Sequence, residues 1–173
     1  MSGVEFIVSP LIIRDVKESD LDRCFDIETL SYAGDEAATK EKVLLRIQRY
    51  PEGFIVLENK EEIVGFINSG ATHKVELSDE TFKELVGHDP QGEYIVIMSV
   101  VVHPHYQGQG MANKLLNSFI NTMRTLDKTE IYLICQTELI NMYAKHGFVY
   151  IGESDSSHGG LSWHEMSLSL QGT

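Results

Sequence analysis

Cysteine is nearly absent from this sequence. Cys24 and Cys135 are the only two, and each falls within a periodic apolar segment. That placement reads as a pair of buried free thiols in a reducing compartment, rather than a disulfide frame or a thiol nucleophile. No apolar run approaches the length of a membrane span, and no basic stretch followed by a long apolar one opens the chain. Neither a membrane segment nor a secretory leader is therefore expected, and the cytoplasm is the expected location. Positive charge is scarce as well: 14 Lys and Arg stand against 26 Asp and Glu, a formal net charge of −12 with histidines neutral. Such a surface repels polyanions and lacks the electrostatic footprint of a nucleic-acid binder. It suits a cationic acceptor such as an amine, and it obliges any phosphate site to rely on local N–H groups and the few nearby lysines.

What is present is ordinary for a globular chain. The 173 residues are 42% hydrophobic and 23% charged, enough for one domain with a real core and too few for two. Residues 1–173 are expected to form a single domain, with no repeat, low-complexity tract or linker.

The chain is organised around residues 93–116. Tyr94 to Val102 is an almost unbroken apolar run rich in β-branched residues, as in a central strand covered on both faces. Pro104 stops it. Beyond Gly110, Met111, Leu115, Leu116, Phe119, Ile120, Met123 and Leu126 recur at the spacing of a helix with one buried stripe. The join, Gln107-Gly108-Gln109-Gly110-Met111-Ala112, is a glycine-bearing loop feeding a helix N-terminus, where unpaired N–H groups and the helix dipole favour an anion. Two phosphate motifs that share this setting fail. No Gly-Lys-Ser/Thr follows, and Asn113 stands where the dinucleotide fingerprint needs its third glycine. A pyrophosphate held by backbone amides fits what remains.

The same six residues resemble the acetyl-CoA signature of the GNAT superfamily of N-acetyltransferases, Arg/Gln-x-x-Gly-x-Gly/Ala, with Gln107, Gly110 and Ala112 at the defining positions. A second stretch, Cys135 to Phe148, is similar to the family's C-terminal segment, in which Tyr-x-x-x-Gly-Phe appears here as Tyr143, Gly147 and Phe148. The stretches 35–38 and 158–166 look like the arylalkylamine N-acetyltransferase branch. The resemblance implies acetyl-CoA as cosubstrate. It implies a grip by Gln107, Gly108, Gln109, Gly110, Met111 and Ala112, by the backbone of Val100, Val101 and Val102 on a strand splayed by a bulge, and by Asn141. Asn141 also reads as a solvent-facing helical residue.

The remaining pattern predicts a strand over 6–15, a helix capped by Ser19 that runs to Leu30, and a second helix from Ala37 to Tyr50. A hairpin over 54–58 and 63–70 follows, then a short helix from Ser78 through Val86. After the long helix come a strand over 130–136, a helix over 138–146 closed by Gly147, and strands over 148–153 and 161–170. That order is α/β (α+β) in class, with a mixed six- to seven-stranded sheet flanked by helices. It is also the order of the GNAT fold.

Acetyl transfer requires a neutral amine, donors for the developing oxyanion and a proton for the departing thiolate. Tyr143 occupies the family's tyrosine position, and a phenol of pKa about 10 stays protonated beside a thiolate; the alternative is a core tyrosine whose hydroxyl is merely satisfied. The base is less defined, because Val96 and Met98 stand where the animal arylalkylamine enzymes carry two histidines. Glu28, Asp35, Glu36, Glu93, His73 and His158 are the remaining base candidates. Glu28, Tyr32, Asp35, Glu36 and His158 are the expected acceptor contacts, and Phe25, Tyr32, Phe54 and Trp163 could line an arylamine pocket. His103 and His105 flank Pro104 without a third ligand at convincing spacing, so no metal is expected. The expected activity is acetylation of a small primary amine, an arylalkylamine or polyamine, by a monomer or homodimer. A protein or peptide N-acetyltransferase and a non-catalytic acyl-CoA-binding regulator are the alternatives.

Overall fold

Residues 11–32, 37–77, 80–155 and 161–171 are described in a computed structural model of the chain. Within them seven strands form one sheet: β1 (Leu11–Asp15), β2 (Ile55–Asn59), β3 (Glu62–Thr72), β4 (Tyr94–Val102), β5 (Glu130–Cys135), β6 (Val149–Glu153) and β7 (His164–Ser169). Their order is β1-β2-β3-β4-β5-β7-β6. Helices α1 (Leu21–Ser31) and α2 (Lys40–Arg49) cover one face, and α3 (Met111–Thr125) and α4 (Ile140–Lys145) the other. Neighbouring strands are antiparallel except β4 and β5. The exception follows from the connection: α3 crosses over between them, and a crossover of that length returns the chain in the same direction. The mixed, helix-flanked α/β sheet read from the sequence is the one observed, at the upper end of the expected strand count.

The core has two layers. Beneath α3, Leu115, Leu116, Phe119 and Met123 pack on Leu57, Ile67, Ile95 and Ile131. Beneath α1 and α2, Cys24, Ile27, Val43 and Ile47 pack on Phe54, Val56, Phe66 and Val101. Strand β4 feeds both layers, which is why its sequence is a continuous apolar run rather than an alternating one. The α3 stripe is as the spacing predicted, except that Leu126 lies just past the helix and is 40% exposed.

Several boundaries differ from the sequence reading. Ser19 does not cap α1: it lies inside a 3-10 turn, Glu18–Asp20, and Asp20 precedes the helix. The Asp20 carboxylate is occupied by Arg14, through Nη1 and Nη2 at 2.8 and 3.0 Å, and by the Lys17 amide at 2.8 Å. Helix α2 begins at Lys40 rather than Ala37, because Thr39 Oγ1 accepts the Lys42 N–H and sets the start. The β2–β3 hairpin closes through Lys60 and Glu61, both at positive φ, the handedness that matches strand twist in a two-residue turn. The short helix expected to reach Val86 is a 3-10 turn, Glu80–Glu84, with Leu85 left-handed at φ 61°. Thr137–Leu139 is likewise 3-10, so α4 starts late, and Gly147 closes it at φ 98° as read from the sequence. Residues 6–10 and 78–79 of the expected elements lie outside the described residues.

Two irregularities in β4 matter most. Its register with β3 slips between Asn68 and Ser69: Asn68 faces Ser99 and Ser69 faces Ile97, so Met98 has no opposite residue. This is a β-bulge, and it shifts the side-chain alternation by one. Ile95 and Ile97 point to the α3 layer before it, whereas Val102 does so after it and Val101 belongs to the other layer. On its other side β4 pairs with β5 only from Tyr94 to Val96, against Glu130 to Tyr132. Beyond that the strands part, while β5 stays paired with β7 along its whole length.

Leu115 has no exposed surface and ties α3 to the sheet. Leu115→Ala is expected to cost about 2–5 kcal/mol and to lower the melting temperature by roughly 5–15 °C. Denaturant titration should show a shifted midpoint at unchanged slope.

Candidate active site

The wedge between β4 and β5 exposes backbone groups that a full parallel pairing would consume. The Val100 carbonyl instead accepts the Tyr32 hydroxyl at 3.2 Å, and the Val102 carbonyl accepts Ser31 Oγ at 3.3 Å and Gln107 Nε2 at 3.1 Å. In an extended strand the N–H and C=O of one residue point the same way. The amides of Val100 and Val102 thus face the wedge, and those of Val101 face β3, opposite Phe66.

At the mouth of the wedge the chain turns through Pro104–Tyr106 and the glycine loop into α3. Gly108 and Gly110 are left-handed, at φ 76° and 82°, and an added Cβ at either would meet nothing within 4 Å. Glycine is needed here for its backbone conformation, and the space it leaves is open. Gly110 is the N-cap of α3, and the helical bonds begin with Lys114 N–H to Gly110 O at 3.1 Å. The amides of Met111, Ala112 and Asn113 accordingly have no intrahelical acceptor, and the first turn carries no acidic residue. Both glutamines of the loop are engaged within it, Gln107 on Val102 O and Gln109 on His105 O at 3.2 Å. The result is a cleft of about 450 Å³, lined by Val100, Val101, Val102, Gly108, Gly110 and Tyr143 among others.

A second cavity, of about 120 Å³, lies between the sheet and the α1–α2 layer, with Glu28, Arg46, Met98, Cys135, Phe82 and Trp163 in its wall. Tyr32, Val100, Leu139 and Tyr143 line both cavities, so the two meet where β4 and β5 part. Tyr143 is buried, its ring packed edge-on against Phe148 at 5.7 Å. Burial first, and then the neighbouring Tyr32 and Cys135, push its hydroxyl well above the ordinary phenol range. Glu28 is only 1% exposed and accepts the Ala38 N–H at 2.9 Å. Arg46 is 2% exposed; its Nε and Nη2 donate to the Lys83 carbonyl at 3.3 and 3.2 Å. Burial pulls its pKa down from the usual value, against the opposing pull of Glu28 and Tyr32.

The expected site residues divide. Val96 and Met98 line the second cavity, as do Glu28, Tyr32 and Trp163, while Met111 and Ala112 line the outer cleft. Asn141 is exposed and lines neither; its neighbour Met142 lines the cleft. Glu93 bonds Thr129 at the far end of β4, and His73 pairs with Asp89 at 2.9 Å, so neither reaches the wedge. Phe54 stacks on Phe66 in the core, and Phe25 packs against the same layer. Asp35, Glu36 and His158 lie outside the described residues. The His103 and His105 rings contact each other at 4.8 Å, and no group of three metal-binding side chains occurs among the described residues. Sequence reasoning missed Arg46. Its signal was a charge three residues after Val43 and one before Ile47, inside the apolar stripe of α2.

The fold of this chain is shared with solved structures. The chain superposes on the loading GNATL domain of CurA from Lyngbya majuscula with a TM-score of 0.82 at 19% identity, over 94% of this chain and 98% of that one. It superposes on yncA from Salmonella typhimurium, described as "a putative acetyltransferase" with its cofactor acetyl-CoA, with a TM-score of 0.69 at 20% identity, over 95% and 96%. These likenesses show the fold. The family model described as Acetyltransferase (GNAT) family matches residues 21–148, and the chain belongs to that family. It is also 25% identical over 130 residues, 71% of its length, to a Bacillus subtilis protein named "probable hydrolase YhcX". The chain spans about a quarter of the length of the curated relatives it matches.

Among the described residues no helix is long and apolar enough to cross a membrane. Both cysteines are free and buried, and burial pushes the Cys24 thiol up to about 12 and the Cys135 thiol up to about 11. Both are therefore neutral at ordinary pH, in keeping with the core reading of the sequence. Iodoacetamide at pH 8 should alkylate the native protein slower than the unfolded chain by on the order of a hundredfold or more, with the rate climbing as pH approaches 11. Rapid labelling of the native protein at pH 8, followed by mass spectrometry, would contradict this.

Proposed function

We propose that this chain is an acetyl-CoA-dependent N-acetyltransferase acting on the primary amine of a small molecule, with residues 1–173 as one catalytic domain. The observation that carries the reading is the meeting of the two cavities at Tyr143 and Val100, one with backbone donors at its mouth and one with a buried carboxylate in its wall. The outer cleft fits acetyl-CoA. The amides at the α3 N-terminus and the Gly108–Gly110 turn suit a pyrophosphate, and the wedge edge at Val100 and Val102 suits the amides of an extended arm. When bound there, the cosubstrate supplies an acyl group activated as a thioester.

The chain's residues then divide the proton work. As the acceptor nitrogen bonds to the acyl carbon and the carbon–sulfur bond breaks, the amine gives up one proton and the thiolate gains one. Glu28 is the base, directly or across one water, because among the described base candidates it is the one in the cavity wall. Tyr143 is the acid, held protonated by its burial. Tyr32, Phe82 and Trp163 support an aryl or apolar body on the acceptor. The small, walled cavity supports a small molecule over a protein segment, and Tyr143 supports turnover over an acyl-CoA regulator. Two free buried thiols suit the reducing cytoplasm, with the protein acting as a monomer or a homodimer.

Thiol release with a panel of amines, amino acids and peptides tests the activity: tight acetyl-CoA binding with no CoA released by any acceptor would favour the regulator. Tyr143→Phe should lower kcat toward the smaller end of the about 10²- to 10⁴-fold range of general acid catalysis, with acetyl-CoA affinity nearly unchanged. A kcat within about twofold of wild type when chemistry limits turnover would refute the role. Since burial raises the Tyr143 pKa, its donor form persists through alkaline pH, and the wild-type kcat profile should show no loss from this group below about pH 10. At the loop, Gly110→Asn and Gly110→Asp are isosteric, and both side chains tolerate a left-handed backbone. Calorimetric titration should show acetyl-CoA binding at least about tenfold weaker for Asp than for Asn, the difference being the charge facing the phosphates. Equal affinities would discard the pyrophosphate assignment.

A further inference from the structure

Arg46 is a buried charged side chain in the wall of the second cavity that the proposed reaction leaves without a task. It is almost fully buried, yet its Nη1 has no acceptor among the described residues, while Nε and Nη2 share the single carbonyl of Lys83. A buried cation with an unpaired N–H is costly, and native proteins keep one where something else completes it. The same layer holds a second such group. Asn68 is fully buried, and its Oδ1 and Nδ2 have no partner among the described residues. It shares a face with Phe66, two residues earlier, and lies opposite Ser99, which lines the cavity.

The cavity wall therefore carries one buried charge of each sign, Glu28 and Arg46, set among Tyr32, Met98, Phe82 and Trp163. Lys42, half-buried, and Glu76, exposed, add one further charge of each sign to the wall. A linear polyamine would bring several positive charges to a cavity that already buries one. A plain arylalkylamine would place its charge toward Glu28 and bring nothing to Arg46. A molecule with an ammonium at one end and a carboxylate at the other matches both charges.

We infer that the acceptor is a zwitterion, a free amino acid with an apolar or aromatic side chain, whose carboxylate pairs with Arg46 while its amine lies toward Glu28 and Tyr143. The inference rests on the acetyltransferase reading above and narrows its acceptor. Arg46 sets specificity: its planar fork is suited to a carboxylate, and a site built around a buried polar partner rejects an analogue that lacks it far more strongly than an apolar pocket rejects a changed methylene.

The test needs two matched series, phenylalanine with phenylalaninamide and 2-phenylethylamine, and leucine with leucinamide and isoamylamine. Wild-type kcat/KM, read by thiol release, should favour the acid over both analogues in at least one series by on the order of 100-fold. Arg46→Met should collapse that preference mainly through a raised KM, and Arg46→Lys should restore part of it; thermal unfolding establishes that each variant is folded. An amine accepted as well as its acid would overturn the inference, and an amide accepted as well would return the acceptor to a peptide N-terminus. Calorimetric binding of the acids and amines to wild-type protein separates the two levels of the argument. Acid binding without CoA release would uphold the zwitterion site and sink acetyl transfer. CoA release from amines alone would do the reverse.

Discussion

The extra residue at Met98 is the constraint on which the rest of the site depends. A strand that kept its register with β3 would also keep its parallel partner, and the sheet would be closed from Tyr94 to Val102. By inserting one residue on the β3 side, the bulge increases the local twist of β4 and carries its second half away from β5. The cost is a row of backbone groups in the middle of a sheet with no strand to bond. The chain covers part of that cost itself, with the end of α1 and Gln107 reaching the Val100 and Val102 carbonyls. The glycine loop, the start of α3 and Tyr143 all lie around the opening so made.

Charge is distributed against the general trend of the molecule. A chain of net charge −12 presents its anion-favouring site through peptide dipoles and unpaired amides at α3, where no acidic residue occupies the first turn. Across the wedge it buries Glu28 and Arg46 in one layer, each drawn from the apolar stripe of its own helix. Burial strengthens whatever those charges meet, because the local dielectric is low. The acidic exterior and the two buried charges are thus separate devices.

The architecture was legible in the sequence because its elements rest on periodicity and punctuation. The β4 run, the α3 stripe and Gly147 each obey a local rule, and the glycine loop could be placed at a helix start before any coordinates. The boundaries that moved were those where a side chain chose between local partners: Asp20 serves Arg14 instead of capping freely, and Thr39 caps α2 in place of an earlier start. The bulge was implied by the family resemblance alone, since no residue type marks an inserted strand position as Asn-Gly marks a turn. Glu28 could be named as a candidate but not ranked, because its burial depends on α2 closing over it. Arg46 was overlooked for the same reason: in sequence it is one more exposed-looking cation, and in the fold it is 2% exposed.

Cys135 ends β5 inside the wall shared with the proposed acceptor, which raises a chemical hazard for any protein that holds a thioester nearby. A thiolate at that position would attack the thioester carbonyl, expel the CoA thiolate and leave the acyl group on the Cys135 sulfur, a dead end for turnover. Burial prevents this by keeping the proton on sulfur up to about pH 11. The same low-polarity wall that packs the sheet therefore protects the protein from modifying itself, and Cys135 is tolerable in the site because it is buried as a hydrophobe.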